Sequence, residues 1–205
     1  MNNIAIIAGG TSAASIDFST LPKNVYIYAV NDAFLHIPNY DAIVSMDGRW
    51  MYKRYHILNR GLRCRLLFSR KHYDKWLGDR PRLPSMAIFD VDPEKLEMGD
   101  PIGANNSGVM AMNLAYFCKP DNLFLYGFDA CNNPSNTNQE HWYGAYDWRK
   151  DKNPIKKYND WLYWHEKSSK QFSERNVKVW NVSEFSKIEQ YEKITHNQAL
   201  DIMLK

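Results

Sequence analysis

Apolar residues along this chain fall into short continuous runs, and most of the runs stop at a Gly, Asn or Asp. Ile4–Ala8, Val25–Val30, Ala42–Ser45, Met86–Phe89, Leu123–Tyr126 and Val177–Val182 are such runs, and Arg63–Phe68 is a seventh candidate. A continuous apolar run of this length predicts a strand covered on both faces, the condition of a parallel sheet. Between the runs the spacing changes to helical. Trp50, Met51, Tyr55 and Leu58 share a face of a helix over Gly48–Arg60, and Tyr158, Trp161, Leu162 and His165 share one over Ile155–Arg175. Val109–Phe117 is apolar on nearly every side and predicts a helix packed deep against the sheet, and Asn197–Leu204 predicts a last short one. Strands alternating with helices predict one doubly wound α/β domain over residues 1–205, mostly parallel, with helices on both faces of the sheet.

The segment Asn105–Asp129 organises the rest. Asn105, Asn106 and Ser107 are suited to cap the helix that follows, because their side-chain oxygens accept the amide hydrogens left over in a first turn. Gly108 allows close backbone approach at that end. Lys119-Pro120-Asp121-Asn122 stops the helix, and the next strand ends in Gly127-Phe128-Asp129. The first strand runs into Gly9-Gly10-Thr11-Ser12, the second stops at Asn31-Asp32 and the third at Met46-Asp47-Gly48. Each turn alone is ordinary. Together they predict one rim of a parallel sheet built around a ligand. The glycine turn is neither a Walker A loop nor G-x-G-x-x-G, so it predicts a phosphate contact through backbone amides without naming a nucleotide class. The stretch from Arg70 to Ala104 is the least regular, with Pro81, Pro84, Pro93 and Pro101.

Composition narrows the picture. The chain has 205 residues, 44% hydrophobic and 24% charged, which is ordinary for a globular protein. A net charge of +3 argues against a dedicated nucleic-acid binder. Cys64, Cys118 and Cys131 are odd in number and lack ligand spacing, so no disulfide framework and no metal site are expected. No run approaches the ~20 residues of a membrane span. The start Met1-Asn2-Asn3 lacks a basic leader, which predicts a cytoplasmic protein. Aromatic residues reach 14%, with seven Trp and thirteen Tyr, enough rings to stack on bases or sugars as well as fill a core.

Residues 130–154 form a long loop rich in Asn, Trp and Tyr, predicted to be an active-site loop or lid. His141 lies in it among Glu140, Trp142, Tyr143, Tyr146, Asp147 and Trp148, and an imidazole there suits acid–base work near neutral pH. His56 and His165 fall within helices, His56 reading as a surface or half-buried residue and His165 as a packing residue. The cluster Arg60, Arg63, Arg65, Arg70 and Lys71 reads as a solvated face.

The blocks Ile6-Ile7-Ala8-Gly9, Ile16–Ser19 with Leu21-Pro22, Asn31, Ser107-Gly108, Gly127-Phe128-Asp129 and His141–Gly144 resemble a bacterial sialyltransferase family that uses CMP-sialic acid. They also resemble a wider group of phage and prokaryotic proteins that share its Rossmann-like domain, among them proteins similar to 6-hydroxymethylpterin diphosphokinase. The resemblance implies a CMP-sugar-like donor site lined by Gly9, Asn31, Ser107, Gly108 and Gly127. Where the family carries a second histidine, acting as base four places after the first, this chain has Ala145. The leading reading is a glycosyltransferase. Amides of Gly9, Gly10, Thr11 and Ser12 and of Ser107-Gly108 would hold the leaving phosphate, and Asn31 would orient the base or ribose. His141, or else Asp47 or Asp129, would take the acceptor's proton. A second reading is pyrophosphoryl transfer with Mg²⁺ on Asp47 and Asp129. A third is a nucleotide binder without catalysis. The partner in each case is a nucleotide or nucleotide sugar. The acceptor is not specified, and a homo-oligomer is compatible with all three.

Overall fold

The computed structural model describes residues 2–60, 64–78, 80–83, 85–92, 102–132, 134–135, 141–146 and 154–205. In chain order the strands are β1 (Asn3–Ile7), β2 (Tyr26–Val30), β3 (Ala42–Ser45), β4 (Arg65–Ser69), β5 (Met86–Phe89), β6 (Val91–Asp92), β7 (Ile102–Gly103), β8 (Asn122–Tyr126), β9 (Lys178–Asn181) and β10 (Glu192–Lys193). The helices are α1 (Gly48–Asn59), α2 (Arg70–Trp76), α3 (Ser107–Phe117), α4 (Pro154–Glu174) and α5 (His196–Met203). Eight strands form one parallel sheet in the order β10-β9-β8-β1-β2-β3-β4-β5, and β6 pairs with β7 apart from it. The doubly wound α/β expectation holds.

The winding reverses at β1. From β1 the chain moves outward through β2, β3, β4 and β5, then returns to lay β8 on the other side of β1, with Ile6 opposite both Tyr28 and Leu125. Where a parallel sheet reverses, the two connections leave in opposite directions and a crevice opens beyond the carboxyl ends of the strands. Here those ends are Ala8–Gly10 and Gly127–Asp129.

Side chains alternate along β1. Ile4 and Ile6 join the cluster packed under α3 and α4, while Ala5 and Ile7 join the one under α1, α2 and α5. Residues of α3 from Ser107 to Tyr116 are all buried, as its all-round apolar sequence requires. Several elements depart from the sequence reading, among them the two-residue strands β6 and β7. The polar segment Arg70–Trp76 forms α2, anchored in the core by Tyr73 and by Leu77 just beyond its end. Beyond β9, which matches the last predicted run, two residues of β10 add a further parallel strand.

Candidate functional site

A cleft of about 730 Å³ opens over the reversal point. Gly9, Gly10, Asn31, Ser107, Gly108 and Gly127 line it, together with Asp47, Asp129 and His141. The described structure thus brings nearly all the predicted site residues to one rim. Thr11 and Ser12 face elsewhere. They begin a 3₁₀ turn, Thr11–Ser15, whose free amide end is turned onto the buried carboxylate of Asp129. Ser12 N donates to Asp129 Oδ2 at 3.0 Å, the Ser12 hydroxyl donates to Asp129 Oδ1, and Thr11 Oγ1 lies 3.5 Å from Oδ2.

The phosphate-cradle expectation for this loop is therefore corrected. Gly10 N is bonded to Gly127 O at 2.9 Å and Ala13 N to Gly10 O. With Ser12 N given to Asp129, amides expected to meet a phosphate are already engaged inside the protein. Burial pushes the Asp129 carboxyl above its ordinary range, against the downward pull of the Ser12, Ser183 and Thr11 bonds. Asp129 is a latch between the first and eighth strand ends, and its carboxylate is committed to that role. Asp47 is committed likewise: it is the N-cap of α1, accepting from Arg49 N at 2.9 Å and Trp50 N at 3.1 Å.

Two glycines are dictated by this packing. Gly127 has φ +68°, and a Cβ there would lie 2.8 Å from Ala8 O. A Cβ on Gly10 would lie 2.6 Å from the Asp129 carboxylate. Neither position has room for a side chain, which explains both glycines without any ligand.

Asn31 differs. It sits at the end of β2 with φ +52°, a left-handed conformation that only Gly, Asn and Asp adopt readily. Its Oδ1 is buried with no hydrogen-bond partner among the described residues. A left-handed backbone and an unmatched buried side-chain acceptor in one residue, at the rim of a cleft, make Asn31 a candidate ligand contact. A second non-glycine residue at the rim, Ala130, is also left-handed, with φ +50°.

On the α3 side, Asn106 is the N-cap, its Oδ1 accepting from Val109 N at 3.0 Å. Ser107 Oγ accepts from Met46 N at 3.1 Å and ties the end of β3 to the start of α3. Gly108 packs against Phe128, which a Cβ would approach to 3.1 Å.

The segment 141–146 closes the opposite wall. Trp142 N donates to Gly9 O at 3.0 Å and its Nε1 to Ala8 O at 2.9 Å, so the end of β1 pins this part of the loop. His141 Nδ1 consequently lies only 2.6 Å from where a Gly9 side chain would begin, and Tyr143 Oη 2.8 Å. His141 stacks on Tyr143 at 5.2 Å between ring centres, and Tyr143 stacks in turn on His36 at 5.4 Å. Tyr143 and Tyr146 hydroxyls are 3.2 Å apart, and burial, with Asp32 adding to it, pushes the Tyr146 phenol well up. Asp32 is held by Trp50 Nε1 at 2.6 Å and by Arg54 Nε at 2.9 Å. Ala145 is exposed. The expected neighbours Glu140, Asp147 and Trp148 lie outside the described residues, as does most of the predicted lid.

The sequence reading placed His165 in the core, and it is there. It is 2% exposed, edge-on to Phe128 and Tyr191, with Nδ1 3.4 Å from Tyr191 Oη. Desolvation pushes its pKa down to about 3, so it is neutral at physiological pH. It also reaches the cleft wall, as do Arg49, Trp76, Lys157 and Trp161, none of which the sequence reading assigned to the site. Among the described residues, no group of three or more His, Cys, Asp or Glu side chains is placed to hold a metal, and no helix is long and apolar enough to cross a membrane.

No protein-family model and no curated protein sequence matches the chain. Solved structures do. The sialyltransferase CstII from Campylobacter jejuni, in complex with the substrate analogue CMP-3FNeuAc, superposes with a TM-score of 0.55 at 13% identity, covering 96% of this chain and 87% of that one. The same enzyme with cytidine-5'-monophosphate superposes with a TM-score of 0.55 at 13% identity, over 96% and 86% of the two chains. A further complex of the sialyltransferase, with a trisaccharide acceptor and CMP, gives 0.54 at 13% identity over 96% and 87%. The chain therefore shares its single-domain α/β fold with these structures.

Proposed function

We propose that the chain is a glycosyltransferase that binds a CMP-sugar-like donor in the cleft over the β1–β8 reversal. The observation that carries this reading is Asn31: a left-handed strand-end residue whose buried Oδ1 lacks a partner among the described residues and lines the cleft. An amide acceptor held there meets a hydrogen-bond donor on the ligand, such as a ribose hydroxyl or an exocyclic amine. With the Gly10 and Ser12 amides engaged internally, the leaving phosphate falls to the start of α3. There the Ser107 hydroxyl and the positive end of an eleven-residue helix favour an anion.

His141 is the group positioned to accept the acceptor's proton. The bonds from Trp142 to Ala8 and Gly9 hold it beside Gly9, and Asp47 and Asp129 are occupied as caps. Displacement of the phosphate by the acceptor hydroxyl, with proton loss to imidazole, needs no covalent intermediate on the protein. The fold likeness to CMP-bound sialyltransferase structures supports the donor class. Residues 130–154, whose segment 141–146 already lies against Gly9, are the lid of this reading, and the chain works as one domain.

Thermal unfolding with and without CMP tests it. CMP should raise the Tm of the wild type, because a ligand bound only by the folded state stabilises it. Asn31→Gly, which keeps the left-handed backbone, should abolish the shift without lowering the ligand-free Tm. No shift by any cytidine nucleotide would remove the donor assignment. The exposed Ala145 supports a second reading, a nucleotide binder without turnover. That outcome is a wild-type CMP shift with no transfer to any acceptor.

A further inference from the structure

The small net charge of the chain conceals a segregated one. Residues 48–83 hold eleven Lys and Arg against two Asp, a net of +9 in a chain whose total is +3, so the remainder carries −6. Eight of the ten arginines lie in this segment, and the donor reading uses none of them. In the fold it supplies α1, β4, α2 and residues 80–83, and its two helices form an outer layer over the core cluster that contains Trp50, Tyr55 and Tyr73.

α1 has no acidic residue. Arg49, Lys53, His56 and the C-cap Arg60, at i, i+4, i+7 and i+11, share its outward stripe, and all four are exposed. At 1.5 Å per residue the stripe is about 16 Å long. Tyr52 and Ile57 flank it, 44% and 47% exposed. Residues 80–83 extend this face. Tyr55 Oη donates to Pro81 O at 2.8 Å and Tyr73 Oη to Arg80 O at 2.6 Å, which fixes them on α1 and α2. The Arg80 guanidinium carbon lies 4.2 Å from the Tyr52 ring centre, and that of Arg82 5.8 Å from the Tyr73 ring centre. Asp32 and Asp90 pair with Arg54 and Arg70. Among the described residues Arg60, Lys71, Lys75 and Arg82 form no ion pair.

A merely solvated face mixes both signs, because like charges crowded on one surface repel. This one is almost wholly cationic, and most of its cations are arginines, whose planar fork matches phosphate oxygens. Their linear order along α1 suits a strand of phosphates better than a flat field of lipid headgroups. Ile57 narrows the choice further. An unpaired base offers it an apolar face, which a duplex keeps stacked inside.

We propose that the outward stripe of α1, with residues 80–83, docks the backbone of a single-stranded nucleic acid without reading its sequence. Phosphates lie along Lys53, Arg60 and Arg82, and bases lie over Ile57. The surface is independent of the donor reading.

Fluorescence anisotropy of the full chain with labelled oligo(dT) of about 20 nucleotides tests this. Binding should weaken with salt at a log–log slope of about −2 to −3, since each neutralised phosphate of a single strand contributes about −0.7. Arg60→Gln combined with Arg82→Gln should weaken binding at least about tenfold at low salt and flatten the slope by about 1.4, with Tm unchanged. Lys167→Gln combined with Lys170→Gln, on α4 in the opposite layer, should leave binding unchanged. If the arginine pair lowers Tm, Lys71→Gln with Lys75→Gln repeats the measurement on the same face. No binding at low salt, equal losses from the α1 and α4 pairs, or tighter binding of a duplex of the same length overturns the proposal. Phosphatidylcholine vesicles with about one third phosphatidylglycerol are the last arm. Tighter binding to them than to the oligonucleotide, lost with Arg60 and Arg82, assigns the face to a membrane and overturns it too.

Discussion

Asp129 gives the sharpest test, because a latch and a catalytic base predict different consequences for one carboxylate. Its oxygens take the Ser12 amide and the Ser12 hydroxyl, with Thr11 Oγ1 nearby, all in a buried setting. Hydrogen bonds to a charged group contribute about 1.5–3 kcal/mol each, and a buried donor left without a partner costs about 1–3 kcal/mol. Asp129→Ala strands the Ser12 amide and hydroxyl, and relief of the desolvated charge offsets part of that. A net loss of about 3–4 kcal/mol is expected, or a fall in Tm of roughly 10 °C for a chain of this size. Asp129→Asn keeps an acceptor for Ser12 N and should cost only about 1 kcal/mol.

The pH dependence adds a second signature. Folding raises the Asp129 pKa above 3.8, so the folded chain holds that proton more tightly than the unfolded chain. The carboxyl's contribution is therefore fully present below its unfolded value and lost as pH rises through the raised folded value. Relative to wild type, Asp129→Asn should look better as pH rises from about 4 to about 7. Thermal denaturation of the three proteins across that range is the assay. A loss of less than about 2 °C for Asp129→Ala would refute the latch, and loss of turnover in Asp129→Asn with unchanged Tm would restore the base.

Other outcomes follow from the same geometry. Asn31→Gly should raise ligand-free stability by about 0.5–1 kcal/mol, since Gly takes φ +52° without strain, while abolishing the CMP shift; a retained shift would remove Asn31 from the ligand. His141→Ala should lower turnover by about 10²–10⁴-fold with little change in CMP affinity, read from separate kcat and binding measurements; near-normal turnover would discharge His141 as base. Gly127→Ala should cost more than about 2 kcal/mol, from the positive φ and the 2.8 Å approach to Ala8 O, and denaturant melts will show it. His165 is neutral because its folded pKa is depressed, so the stability it contributes is present above pH 6.5 and lost as pH falls toward about 3. His165→Leu should flatten that acid branch, which otherwise falls by roughly 1 kcal/mol or more per pH unit.

Much of the sheet could be read from the sequence because each strand is a local apolar run with a polar stop. β3 and β5 have the predicted bounds, and β1, β2 and β8 differ by a residue. What escaped depends on partners far away in the chain. Nothing near Ser12 announces that its amide belongs to Asp129, 117 residues later. A glycine turn after a strand therefore looked like a phosphate cradle. α2 escaped because Arg70–Trp76 is mostly polar and carries few anchors, chiefly Tyr73 and, just beyond its end, Leu77. The strained backbone of Asn31 was not visible either, although its place at a strand end was. Trp76 and Trp161 reach one cleft from elements some 85 positions apart, a proximity only the winding creates.

That winding also sets the order in which the protein can be assembled. β1, made before the other strands of this sheet, belongs in its middle, and β8, which covers its second edge, begins only at Asn122. Until then a nascent chain holding β1 to β5 leaves the second edge of β1 unpaired, and until α3 follows, the apolar face carrying Ile4 and Ile6 is uncovered as well. Parallel pairing at such sequence distance is slow, and open edges of this kind recruit other chains. Fragments ending before β8 should therefore aggregate, and growing chains should depend on chaperones until β8 has emerged. The cleft, whose floor is the β1–β8 seam, comes into being only with that late closure.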